Sequence, residues 1–254
     1  FGGTAEGEPL YRYYGYVVDH IIETQEQADN AMYDSSAKGY RPSDGKNIAG
    51  RKEIGDYEWK NREGSQTKDG KDYIDSQDQF LLGYTVPHST GGLNNNFTYK
   101  NFTLNIFVDW ALGHSINNNS EMRYFMNTFA NNYTLIDEVK QCWKQPGDNT
   151  KYARFTANDP DDGNANFSRT SNVFNYKGDY LCIREISLQY NVPTNKLTKL
   201  GIQNLAITLA GNNLHYFTAV KGVSPEVGAS TTYNKDYYNY PPIRKYSVGV
   251  KVTF

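Results

Sequence analysis

The chain has 254 residues, 38% hydrophobic against 21% charged, with a formal net charge of -2 and a mean hydropathy of -0.74. Near-neutrality without a Lys/Arg cluster interleaved with aromatics excludes a nucleic-acid footprint, and the lack of any run of about 18 apolar residues excludes a transmembrane helix. A β-barrel escapes that test, because its strands need only about 9–11 residues and every second one is polar. Tyr at 22 and Phe at 12 dominate the apolar content. So many amphipathic rings beside so few aliphatic residues are unusual for the core of a soluble enzyme.

In chain order, the opening FGGTAEGEPLYRYYGY shows no basic n-region and no apolar h-region, so a processed chain or a fragment is expected. Strands are expected through PLYRYYGYVVDHII (9–22), NIAGRKEIGDYEWK (47–60) and LLGYTVPHSTGGLNNNFTY (81–99). The clearest segment follows. Phe102, Leu104, Ile106, Val108 and Trp110 share one parity, and Thr103, Asn105 and Asp109 the other, with Phe107 out of place. That pattern predicts a strand with one apolar and one polar face. In 121–145 the apolar residues Met122, Phe125, Met126 and Phe129, then Ile136, Val139 and Trp143, recur at three and four, which predicts one or two short helices within a loop.

Further strands follow. In 178–193, Cys182, Ile186, Leu188 and Tyr190 oppose Glu185, Ser187 and Gln189; in 202–214, Leu205, Ile207 and Leu209 oppose Asn204, Ala206, Thr208 and Ala210. The last segment alternates throughout, with Tyr246, Val248, Val250, Val252 and Phe254 against Lys245, Ser247, Gly249, Lys251 and Thr253. The whole reads as about seven or eight strands in one all-β domain over 1–254, joined by polar loops. The loops are unequal. TNKLTKLG is compact, whereas 147–171 is long, matching the short turns on one side and long loops on the other of outer-membrane barrels.

Catalytic motifs are missing from the sequence: it has no GxSxG, no P-loop and no GxGxxG, and the Asp161/Asp162 pair falls among turn residues. His20, His88, His114 and His215 stand singly, which does not make a metal spacing, and Cys142 and Cys182 are too far apart to define a scaffold, so a bridge between them is not favoured. The expectation is therefore a protein that is not an enzyme. A substrate would meet rings and side-chain amides, as in TTYNKDYYNY, where Tyr233, Asn234, Tyr237 and Tyr238 are the candidate contacts. The alternative use of Tyr237, Tyr238 and Tyr240 is an interface girdle or loop packing.

Alternation also suits a soluble sandwich, the commoner object. Three features favour an antiparallel transmembrane β-barrel. Lys245 and Lys251 lie on the parity that would face a wet lumen; aromatics bracket the last strand at Tyr240, Tyr246 and Phe254; and the terminal Phe254 is the kind of residue that serves as an assembly signal. The rival expectation is a soluble all-β glycan-binding module. The two differ over the even-numbered residues from Tyr246 to Phe254, which a sandwich would bury.

At these residues the sequence resembles the C-terminal part of the SusC/RagA-like TonB-dependent transporters of the Bacteroidetes outer membrane. The resemblance rests on GDYLCIREISLQYNVP (178–193), IQNLAITLAGNNLHYFT (202–218), GVSPEV (222–227) and YPPIRKYSVGVKVTF (240–254), with weaker agreement over 9–30, 48–61 and 81–113. It implies the last strands of a ~22-stranded barrel with long extracellular loops, one of them carrying short helices. A plug and the earlier strands would lie elsewhere. It also implies a SusD-like surface lipoprotein and the TonB complex as partners, and a glycan or oligopeptide as cargo for active import across the outer membrane. A receptor that signals without importing is equally compatible. The family often carries an EF-hand-like loop where this chain has TKDGKDYIDSQD (67–78). Asp69, Asp75 and Asp78 are the candidate Ca²⁺ ligands, but Lys71 and Asp72 stand where an acidic ligand and the turn glycine belong, so no cofactor is expected.

Overall fold

The computed structural model describes residues 6–34, 38–41, 46–49, 52–62, 72–126, 134–155, 166–193, 195, 197, 201–226 and 242–254. Its first strands are β1 (Arg12–Gly15), β2 (Val18–Ile21), β3 (Tyr33–Asp34), β4 (Lys38–Arg41), β5 (Lys46–Ala49), β6 (Tyr57–Trp59), β7 (Tyr73–Ile74) and β8 (Phe80–Tyr84). Then come β9 (Ser89–Tyr99), β10 (Phe102–Leu112), β11 (Ser115–Asn117), β12 (Asn175–Lys177), β13 (Tyr180–Asn191), β14 (Asn204–Thr218) and β15 (Lys245–Thr253). Two short helices, α1 (Gln25–Asn30) and α2 (Asn119–Phe125), accompany them.

The chain divides into two compact units, one of Phe1–Thr85, Ser115–Tyr176 and Ser230–Tyr238, the other of Val86–His114, Lys177–Ala229 and Asn239–Phe254. The first is built from short pairings: β1 with β8, β2 with β6 and β4 with β5 run antiparallel, while β3 and β7 run parallel. Pieces this short do not hold themselves together, and an aromatic core does it for them. Phe125 stacks on Tyr152 at 4.4 Å and meets Phe167 and Phe174 at 5.2 Å each, with Tyr57, Trp59 and Ile74 buried beside them.

Among the described residues of this unit, buried and half-buried charged groups are held by ion pairs or hydrogen bonds, which offset the cost of leaving water. The Asp56 carboxylate accepts from Arg154 Nε at 2.6 Å and from Asn166 Nδ2 at 3.0 Å. Glu121 accepts from the Tyr152 and Tyr176 hydroxyls at 2.9 and 2.7 Å and from Asn118 Nδ2 at 3.0 Å. Arg169 lies 4.6 Å above the Tyr16 ring and pairs with the buried Asp34.

The helices expected in 121–145 are α2 and the 3-10 segment Asp137–Gln141. Three strand expectations need correction. The segment 9–22 breaks into β1 and β2, 47–60 into β5 and β6, and 81–99 into β8 and β9, whose partners belong to different sheets. Tyr16 interrupts the first by turning its backbone to Thr170 and Asn172, and Pro87, which has no N–H to give a ladder, interrupts the third.

The second unit is a five-stranded antiparallel sheet in the order β15-β14-β13-β10-β9. Lys100 and Asn101 alone join β9 to β10, with Lys100 at φ 52°, and residues 192–203 join β13 to β14. At the opposite end of the sheet the connections are long, 113–179 and 219–244. Both cysteine thiols are free and buried.

Candidate functional site

The five-stranded sheet places every residue by its register. Val250, Ile207, Tyr190, Phe102 and Tyr99 line up across the five strands as one row, and Val248, Leu209, Leu188, Leu104 and Phe97 form the next. Cross-strand partners share a face, so both rows belong to one apolar surface. That surface is uncovered: Tyr246, Val248, Val250 and Phe254 are 71%, 73%, 63% and 80% exposed, and Tyr99, Phe97 and Leu209 are exposed as well. A sandwich would have buried them; a strand whose apolar side is solvated by lipid leaves them bare within the chain.

On the opposite face the rows are polar. Gly249, Thr208, Gln189, Thr103 and Thr98 form one, and Ser247, Ala210, Ser187, Asn105 and Asn96 the next, with Asn105 Nδ2 donating to Asn96 Oδ1 at 3.0 Å. Lys251 sits opposite Ala206 and Lys245 opposite Asn212 on this same side. Phe107, out of place in the sequence, belongs to it too and lies against Gly92, where an added Cβ would come within 3.0 Å of the ring. Trp110 on the apolar face covers Gly91 more closely, at 2.3 Å from such a Cβ.

The ladder is interrupted at one level. Between Ile183 and Glu185, β13 carries one extra residue against β10, and β14 answers with Asn213 at φ 52°. The bulge reverses parity beyond it, which corrects the expectation for Cys182. Leu181 and Ile183 share the apolar face with Trp110 and Val108, while Cys182 pairs with Asp109 and Tyr216 on the polar one.

The same bulge aims Arg184 at the polar face. Its guanidinium grips Asp109 with two bonds of 2.8 and 2.7 Å, donates to Asn213 Oδ1 at 2.9 Å and to the Tyr216 hydroxyl at 3.2 Å, and pairs with Glu226. Tyr216 donates in turn to Glu226 at 3.1 Å. Asn213 Nδ2 donates to the Ile243 carbonyl at 3.1 Å, and His114 Nε2 lies 3.4 Å from the Pro225 carbonyl. One cation with two carboxylates, a phenol and an amide forms a fork-and-fork arrangement on a wall that elsewhere carries Lys245, Lys251 and Glu185 among neutral polar groups. Sequence reasoning missed this cluster. Its only local signal was Arg184 beside Glu185 in a strand that alternates imperfectly.

Of the residues expected to meet substrate, Tyr233, Asn234, Tyr237 and Tyr238 lie outside the described residues, as does Asp69. Asp75 and Asp78 are described, and the loop uses both. Asp75 caps the 3-10 turn Ser76–Asp78 by accepting from Gln77 N at 2.6 Å, and the buried Asp78 accepts from Arg62 N and Asp75 N at 2.8 Å each. Among the described residues no group of three or more His, Cys, Asp or Glu side chains is placed to hold a metal. Phe254 stands exposed just past the end of β15.

No protein-family model matches the chain. It is 28% identical over 194 residues to TonB-dependent receptor P3 of Formosa agariphila, covering 73% of this chain and 18% of that protein. Receptor P39 of the same organism is 27% identical over 200 residues, covering 74% of this chain and 18% of the relative. Among solved structures, the RagAB peptide transporter superposes with a TM-score of 0.61 at 17% identity, over 96% of this chain and 23% of that one. The RagAB importer in its closed-closed state gives 0.56 at 19%. The chain thus spans about a fifth of the length of the relatives it matches. The antiparallel sheet, apolar on one face and polar on the other, shares its fold with part of the RagAB transporter, and the chain is similar in sequence to part of these TonB-dependent receptors.

Proposed function

We propose that the protein containing this chain imports a nutrient actively across the outer membrane, working with a SusD-like surface lipoprotein and drawing energy from TonB through a plug. The two-faced sheet carries the reading: one side is suited to lipid, the other is a ladder of Thr, Asn, Ser and Gln side chains suited to a hydrated passage. In this reading the connections 113–179 and 219–244 are extracellular, and Tyr233, Asn234, Tyr237 and Tyr238 contact the cargo.

The cargo is a glycan or an oligopeptide, whose hydroxyls or amides both suit rings flanked by side-chain amides. The name of the RagAB peptide transporter supports the peptide alternative. The test is uptake by cells that carry the full-length protein, offered either a tryptic digest of casein or starch-derived oligosaccharides. Import that disappears on deletion of TonB supports the proposal. Equal uptake with and without the protein defeats it, and a chain recovered in plain buffer without detergent returns the soluble glycan-binding module.

A further inference from the structure

Within the first compact unit, the stretch 140–151 of the 113–179 connection encloses an open cavity of about 390 Å³. Lys140, Lys144 and Lys151, all exposed, line it beside Gln141, Asn149 and Thr150. The one carboxylate on its wall, Asp148, is taken up by backbone amides, accepting from Lys144 N at 2.8 Å and from Gln145 N at 3.1 Å. Further bonds hold the loop in shape. Trp143 N donates to the Tyr152 carbonyl at 2.9 Å, and the Thr150 hydroxyl donates to the Gln141 carbonyl while accepting from Tyr152 N at 3.1 Å. Tyr152 is stacked on Phe125, so the loop stands directly on the aromatic core.

The three cations are held differently. Lys140 meets Asp137 at 2.6 Å, and the Lys151 ammonium is fixed 4.5 Å over the Tyr152 ring and 5.3 Å from the Tyr176 ring. Lys144 makes no ion pair with a described residue. Burial raises the Cys142 thiol on the cavity floor and the Lys144 charge opposes that rise, so this ammonium lies close to the floor. A pocket of this volume sits at the lower end of small-ligand sites, about 300–1,000 Å³, with room for a single sugar ring or amino-acid residue. We propose that the cavity is a subsite for one carboxylate-bearing unit of the cargo, an acidic sugar or an acidic amino-acid residue. Lys144 and Lys151 supply charge-assisted hydrogen bonds to the carboxylate, and the Gln141 and Asn149 amides meet the polar groups beside it. That the unit belongs to cargo rests on the import reading above; that the cavity binds a carboxylate does not. A loop already fixed by its own hydrogen bonds lowers the ordering cost of binding.

The test is lysine footprinting of the full-length protein in lipid nanodiscs, with acetylation rates at Lys144 and Lys151 read by mass spectrometry against Lys221, an exposed lysine outside the cavity. The probes are trigalacturonate and triglutamate, each beside a neutral counterpart, maltotriose and trialanine. At ten times its half-saturating concentration an acidic probe should slow acetylation of Lys144 and Lys151 about tenfold and leave Lys221 unchanged. Protection by the saccharide, the peptide or both supports the subsite and identifies the source of the carboxylate. Lys144→Gln, an exposed change that keeps the backbone bond to Asp148, should raise the concentration for half-protection of Lys151 about tenfold, and Lys144→Arg should restore it. Three results overturn the proposal: no protection by either acidic probe, equal protection by the neutral probes or at Lys221, and an unchanged half-protection point in Lys144→Gln. Should cells carrying the protein import neither class of cargo while an acidic probe still protects these lysines, the import reading fails and the subsite stands.

Discussion

Arginine at Val250 tests the lipid face directly, because this position is the middle of the five apolar residues that alternate from Tyr246 to Phe254, four on β15 and the last just past its end. Two residues advance about 6.7 Å along a strand, and a tilt of about 40° reduces this to about 5 Å of depth per row. Tyr246 and Phe254 then lie about 20 Å apart, close to the ~25 Å apolar band that aromatic girdles border, and Val250 falls near its midplane. A cation there costs about 2–4 kcal/mol, a factor of about 30 to 900 in the folding equilibrium, and nearer the girdles about 1 kcal/mol or less. The control is Ser247→Arg, a row position on the polar face opposite Ala210, where a cation keeps its water. Urea midpoints of the full-length protein refolded into phospholipid vesicles should fall steeply for Val250→Arg and scarcely for Ser247→Arg. Equal losses, or a larger loss for Ser247→Arg, would refute the assignment of faces.

Other substitutions probe the remaining packing. Gly91→Val drives a side chain into Trp110, where even a Cβ would stand at 2.3 Å; overpacking of this kind costs about 1–3 kcal/mol, and Trp110→Ala should restore the heat-modifiable folded band on a gel. Phe174→Ala empties the middle of the aromatic core at a cost of about 3–5 kcal/mol. Exchange of the Asn118 amide, which donates to the Phe174 carbonyl at 2.9 Å, should accelerate about a hundredfold or more. Burial pushes the Cys142 thiol up to about 12, so iodoacetamide at pH 8 should leave it unmodified in the folded protein and label it on unfolding, as read by mass spectrometry. Burial also holds the His114 imidazole below its ordinary 6.5, against smaller opposing effects of the Pro225 carbonyl and Asp179. The unfolded chain then binds the extra proton, so stability falls as pH drops through and below about 6.5, and His114→Gln should flatten that slope in urea titrations.

Alternation along a strand is a local property, which is why the two faces of β10 and β15 were legible residue by residue before any pairing was known. The short helix α2 was legible for the same reason: Met122, Phe125 and Met126 recur at helical spacing. What interrupts such patterns is not local. The break at Tyr16 depends on backbone partners at Thr170 and Asn172, and the bulge at Arg184 on the ladders it makes with β10 and β14. Parity read straight through the bulge put Cys182 on the wrong face.

The sequence alone therefore determined the class of strand, the side of it suited to lipid, and the resemblance carried by 178–193, 202–218 and 240–254. Only the tertiary structure decided which distant residues meet. Asp109, Arg184, Asn213 and Glu226 come from four places in the chain, and Tyr57, Phe125, Tyr152, Phe167 and Phe174 from five. Periodicity reports how a residue is oriented relative to its chain neighbours, whereas an ion cluster or an aromatic core depends on register and chain crossing, which no single segment encodes.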